Sequence, residues 1–151
     1  MSSAPSTSTF AGTCMTQGGV NGDRLTTALF HNPKDLEFDN STQKMYVLEY
    51  SKSKLKVVNL STGNVETLHT WSFTVYYLKL RSPNVMHYTR SHCVASLDLS
   101  TLVDAVTVGS ASSGYSLGSL SITRFNVPLR QTATSANEIW LVADFNNDRY
   151  L

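Results

Sequence analysis

Short runs of β-branched and aromatic residues, many alternating polar with apolar, recur along this chain between clusters of Gly, Asn, Ser and Thr. No window carries a 3.6-residue hydrophobic period behind a capping residue, so almost no helix is expected. Residues 34–39 alternate, with Leu36 and Phe38 on one side. Residues 45–50 form a denser run, 55–60 alternate again through Val57, and 65–70 follow a Thr62-Gly63 turn. Four short strands joined this tightly describe one antiparallel meander. A second set is predicted at 73–80, 85–90, 92–99 and 103–109. Residues 127–134 and 138–144 begin a third set, and 148–151 fall inside its third strand.

The pattern repeats in sequence as well as in hydropathy. Phe30-His31-Asn32-Pro33 matches Phe125-Asn126-Val127-Pro128, with the prolines 95 positions apart. The same offset lays Val47 on Val142, Glu49 on Asp144 and Lys54 on Arg149 without a gap. The middle unit fits about 40 positions from the first, where Leu60-Ser61-Thr62 meets Leu99-Ser100-Thr101 at 39, and it lacks the F-x-x-P lead. Units of about 47 residues lie in the size range of propeller blades.

These strings carry a family resemblance. Phe10-Ala11-Gly12, Gly18-Gly19, Asn21-Gly22-Asp23, Ala28-Leu29-Phe30 and Pro33, followed by MYVLEY and KLKVVNLSTGNVETL, resemble the NHL repeat. The last unit, GSASSGYSLGSLSITRFNVP with EIWLVADFNNDRYL, resembles it again. The middle unit departs from the pattern, and Glu49 stands where that family favours Asp. The resemblance implies an all-β fold, a β-propeller of NHL-type four-stranded antiparallel blades. About three blades would lie in residues 1–151, half of a six-bladed ring. Residues 34–70 would be the first blade, 73–109 the second and 127–151 an incomplete third. Residues 6–11 read as an outermost strand of a preceding or partner blade.

Within such a frame, the glycines at 12, 18, 19, 22, 63, 109, 114 and 118 are expected where loops need positive φ. Pro33 and Pro128 suit the first position of an innermost strand, where a missing donor is tolerated. Trp71, Phe73, Tyr76, Tyr77 and Trp140 are expected as wedges between blades, in preference to an aromatic ligand cage.

Composition narrows the function classes. With 41% apolar and 15% charged residues, a folded chain is expected over disorder. A formal net charge of +1 argues against electrostatic capture of nucleic acid, which takes a clearly basic domain. No apolar run approaches the length of a membrane helix, so no membrane insertion is expected. Residues 1–9 lack the basic and apolar regions of a signal peptide, so the chain is either not secreted or its signal preceded this numbering. Two sequons, at Asn40 and Asn59, are acceptors for N-glycosylation and tilt the compartment slightly outward. Cys14 and Cys93 are too few for a disulfide framework, and two free thiols are preferred over one bridge.

No constellation commits the chain to catalysis. Asp35, Glu37 and Asp39 put three carboxylates on one side of a strand, but an axial metal needs ligands from several blades. Alignment sets Asp35 against Val75 and Arg130, Glu37 against Tyr77 and Thr132, and Asp39 against Lys79 and Thr134, so no shared metal site and no cofactor are expected. His31, His69, His87 and His92 show no metal-binding spacing, although His87 and His92 fall on adjacent strands. Lys52, Lys54 and Lys56 alternate on one face, where solubility and edge protection are expected before RNA contact. The chain is accordingly read as a non-enzymatic binding scaffold for protein or another macromolecule. The alternatives are an enzyme resembling lyase or lactonase propellers and an RNA-binding NHL domain. Its expected assembly is a head-to-tail homodimer, with half of a longer chain as the rival.

Overall fold

A half-buried strand must pair its backbone with a neighbour and bury one face, and this sequence meets both demands by stacking meanders. The computed structural model describes residues 6–133 and 140–151. The first sheet contains β1 (Gly22–Asp23), β2 (Pro33–Asp39), β3 (Lys44–Glu49), β4 (Lys54–Asn59) and β5 (Asn64–Thr70), in the spatial order β1-β5-β4-β3-β2. The second is the four-stranded meander β6 (Val75–Ser82), β7 (Val85–Arg90), β8 (Cys93–Asp98) and β9 (Asp104–Gly109). The third comprises β10 (Pro128–Ala133), β11 (Trp140–Asp144) and β12 (Arg149–Tyr150). Every pairing between these strands is antiparallel. The only helical turns among the described residues are Tyr50–Lys52 and Phe145–Asn147. The three sheets make a propeller-like arc and do not close a ring.

The strands predicted at 45–50, 55–60, 65–70 and 85–90 fall on β3, β4, β5 and β7. Residues 134 and 138–139, at the ends of two predicted strands, lie outside the described residues, as does the side chain of Trp140. Residues 6–11, expected as a strand of a preceding or partner blade, join no ladder within this chain. The outer edge of the first sheet is already taken by β1, which pairs Gly22 with Val65 and Asp23 with Asn64. The preceding segment is held by side chains instead: the Arg24 guanidinium lies 4.6 Å from the Phe10 ring and donates to the Phe10 carbonyl.

Three apolar clusters hold the arc. Tyr46, Leu48, Leu55 and Val57 from the first sheet meet Val75, Leu78, Met86, Tyr88 and Leu97 from the second. Val94 and Val108 on the other face of the second sheet meet Phe125 and Val142 of the third. Ala28, Val47, Val58 and Val65 cluster on the outer face of the first sheet under the segment that leads into β2. Burying each large side chain contributes about 1.5–3 kcal/mol. Trp71 is buried in the first of these seams and Phe73 packs against it, as wedges should.

The 95-residue offset reappears as shared geometry. His31 N donates to Glu49 Oε1 at 2.8 Å, and Asn126 N donates to Asp144 Oδ1 at 2.7 Å. Asn32 and Val127 both hold positive φ, as do Ser53 and Asp148. Pro33 and Pro128 each open an inner strand, and each sits beside a register shift. Positive φ occurs at Gly12, Gly22, Gly63, Gly109 and Gly118 but not at Gly18, Gly19 or Gly114. Gly18 is explained by space, since a Cβ there would lie 2.8 Å from Leu29 Cδ1.

Candidate functional site

Successive sheets touch through β2, β6 and β10, the inner strands. Each carries the same irregularity near its start, where the ladder skips from Pro33 to Asp35, from Val75 to Tyr77 and from Pro128 to Arg130. The skipped residues, Lys34, Tyr76 and Leu129, are therefore bulge residues, and a bulge re-aims side chains where pairing is interrupted. Register makes Asp35, Tyr77 and Arg130 equivalent, and Glu37, Lys79 and Thr132 the next set on the same side. This corrects the alignment of Asp35 with Val75 and of Glu37 with Tyr77. The middle sheet runs two residues further on, a slip that gapless matching of a degenerate unit does not reveal.

The bulged ends converge. Asp35 Oδ2 accepts from Leu78 N at 2.8 Å, and its Oδ1 lies 4.0 Å from the Arg130 guanidinium. Lys79 Nζ stands 3.3 Å from Glu37 Oε1. Lys34 Nζ lies over three rings, 4.1 Å from the centroid of Tyr50, 4.9 Å from Tyr77 and 5.4 Å from Tyr76. Arg130 lies 5.4 Å from the Tyr77 centroid, so that ring carries two cations. Desolvation lowers the Lys34 pKa, and the Asp35 charge opposes the shift. Below this mouth, a cleft of about 420 Å³ is lined by Glu37, Tyr77, Lys79, Arg130, Gln131 and Tyr150 among others. Tyr76 and Tyr77 thus depart from the wedge role, because the bulge and its neighbour turn them to the inner rim.

The remaining sequence candidates are dispersed. Asp39 is buried and bonds Ser41 and Thr42 in its own hairpin turn, which holds its carboxyl below the usual range. Three carboxylates spaced along one strand therefore serve three different partners. Among the described residues, no three His, Cys, Asp or Glu side chains gather as a metal site would require. His87 faces Ser96 across the ladder while His92 sits in the turn before Cys93, so register separates them. His69 Nε2 lies 3.3 Å from Asp104 Oδ2, and Asp104 Oδ1 accepts from Trp71 Nε1 and Tyr88 Oη. That cluster ties the first seam together. Cys14 and Cys93 are both free, Cys14 exposed and Cys93 buried with Arg90 Nε 2.9 Å from its sulfur.

Lys52, Lys54 and Lys56 do not share an exposed face. Lys56 is 0% exposed and donates to the carbonyls of Val20 and Leu29 at 2.8 and 3.0 Å. Of the sequon residues, Asn40 is exposed in a hairpin turn, whereas Asn59 Oδ1 accepts from Ser61 N and Thr62 N. Asp98 makes the same bonds to Ser100 and Thr101, so the Asn-x-Ser pattern at 59 also reads as turn chemistry. The residues that sequence reasoning missed as a group are Lys34, Tyr50, Tyr76, Tyr77 and Arg130. Their only sequence signal was the adjacency of Tyr76 and Tyr77, which places one of the two out of strand alternation.

No protein-family model matches the sequence, and no curated protein matches it. Solved structures do. An auxiliary nutrient binding protein from Bacteroides thetaiotaomicron aligns with a TM-score of 0.63 at 14% identity over 84% of this chain. A protein of unknown function from the same bacterium aligns with a TM-score of 0.66 at 13% identity over 95%. Regucalcin, a calcium-binding protein from Agrobacterium tumefaciens, aligns with a TM-score of 0.50 at 11% identity over 80%. At such identities the likeness is one of fold, an all-β propeller-like arrangement. The chain spans 34%, 36% and 53% of those three chains.

Proposed function

We propose that this chain is a non-enzymatic recognition scaffold that binds a protein or another macromolecule at the bulged ends of its inner strands. The observation that carries this reading is the state of the carboxylates there. Asp35 is committed to Leu78 N and lies near Arg130, and Glu37 is paired with Lys79, while the tyrosine rings and cations stay at the surface. Such a rim offers contact area and charge, and it offers no free acid or base poised beside a nucleophile. The nutrient-binding and calcium-binding names of two structural neighbours agree with a binding role, and an enzyme resembling lactonase propellers is the second reading.

Affinity capture from the native source with the wild-type chain and with Tyr77→Ala/Arg130→Ala tests the first reading. A partner retained by the wild type and lost by the variant is expected. Equal capture by both would overturn the assignment to this rim. One calcium ion bound per chain in a calorimetric titration would favour the enzyme.

A further inference from the structure

The three tyrosines at the rim surround one point from two sheets. Tyr50 follows β3, whereas Tyr76 and Tyr77 belong to β6, and the Tyr50 and Tyr76 centroids are 6.1 Å apart with their planes tilted by 38°. The repeat does not require them. At the register position of Tyr76 the other sheets carry Lys34 and Leu129, and at that of Tyr77 they carry Asp35 and Arg130. Where the sheets do agree, at Phe30 and Phe125 or at Val47 and Val142, the side chain packs the core. The tyrosines are half-exposed and outside that packing.

We propose that Tyr50, Tyr76 and Tyr77 form a recognition site for an alkylated ammonium group, and that Lys34 is a built-in occupant which such a ligand displaces. The inference rests on the reading of this rim as the recognition face. All three rings stand within about 6 Å of one cationic nitrogen, the distance at which the ring quadrupole attracts a cation. A primary ammonium is strongly hydrated and gives up water to enter the cage. Its four-carbon stem also loses rotamer freedom there. An alkylated ammonium is less strongly hydrated and presents methyl groups to the rings, so it replaces Lys34 at a lower desolvation cost. Asp35 adds negative potential beside the cage. Arg130 on Tyr77 opposes a second cation, and its proximity to Asp35 limits that opposition.

The test is a titration of the folded chain with tetramethylammonium chloride, read from tyrosine ring resonances, with ammonium chloride at equal ionic strength as control. Lys34→Ala is expected to bind tetramethylammonium at least tenfold more tightly than the wild type. Tyr77→Leu in that background should return the affinity to the wild-type level or below, and ammonium should move no ring resonance. Should Lys34→Ala fail to fold, Lys34→Met removes the charge and keeps most of the apolar stem. Lys34 variants that bind no more tightly than the wild type, or a Tyr77→Leu change without effect, would overturn the proposal. Capture that is lost with Tyr77→Ala/Arg130→Ala in a chain whose Lys34 variants bind no tetramethylammonium would sink this inference alone. A cage that binds the probe in a chain that captures no partner would sink the scaffold reading alone.

Discussion

Lys56 enters the first sheet as a strand residue with a polar tip and ends with no exposed surface. Its ammonium is desolvated, which lowers its pKa, and the nearby Glu49 carboxylate opposes that shift. A buried charge persists only with hydrogen bonds, and here the carbonyls of Val20 and Leu29 supply them. The third sheet solves the same problem from another strand position. Arg149 bonds Asp144 and the Arg124 carbonyl, and Arg124 lies 95 positions after Leu29. The role recurs while the residue that fills it moves, which is why alternation alone put Lys56 at the surface. His87 shows a related effect of burial. Desolvation, with the Arg81 charge adding to it, pushes its imidazole down to about 4. The unfolded chain titrates near 6.5, so between those values the unfolded state holds more protons. The stability is therefore fully present above about pH 6.5 and is lost as pH falls toward 4. Urea unfolding at pH 7 and at pH 4.5 should show a loss of about 2 kcal/mol in the wild type beyond that in His87→Asn. Identical pH profiles would refute this.

At the scale of the element, tight turns and bulges set the register. Asp39, Asn59 and Asp98 each bond the backbone of the two residues after next, so an Asp or Asn followed by x-Ser-Thr closes three of the hairpins. These turns and the alternating runs were legible in the sequence because they are local, and so were Pro33 and Pro128 at the strand starts. The site was not legible, because Lys34 reaches across from one sheet to tyrosines of another and nothing nearby in sequence announces the pairing. The two-residue strand β1 was hidden for a similar reason: Gly22 and Asp23 have low strand propensity and pair only because β5 offers an open edge. Gly109, at the end of β9, gives a direct test of this local geometry. It holds φ +102°, and a Cβ there would lie 2.6 Å from the His92 carbonyl oxygen and 2.8 Å from Cys93 Cα. Gly109→Ala should cost about 2 kcal/mol or more in chemical unfolding. Gly19→Ala, where the nearest atom is the flexible Lys54 tip at 3.8 Å, should be nearly neutral. Equal stabilities of the two variants would contradict the placement of β9 against β8.

At the scale of the molecule, the faces at the two ends of the arc are complementary in register. Tyr46, Leu48 and Leu55 of the first sheet are buried by the second. Ninety-five positions on, Leu141 is 52% exposed, Tyr150 is 81% exposed, and Ala143 between them is half-buried. The opposite end presents a hollow of about 320 Å³ lined by Phe10, Phe30, Met45, Val47 and Val58 among others. We propose that the exposed face of the third sheet, which carries Leu141, Ala143 and Tyr150 and borders the inner cleft, packs on this hollow in a second copy, two arcs making six sheets head to tail. Sedimentation equilibrium of the 151-residue chain should give a dimer, and Tyr150→Glu should shift it to monomer. A stable, folded monomer in the wild type would overturn this pairing. The three bulges carry a last consequence. An extra, unpaired residue at the tip of an inner strand can change identity without slipping the ladder behind it, since every cross-strand neighbour keeps its partner. Positions 34, 76 and 129 are thus free to drift with little cost in folding. Descendants of such an arc could come to recognise different targets by point substitution at those tips, on a frame that never has to be rebuilt.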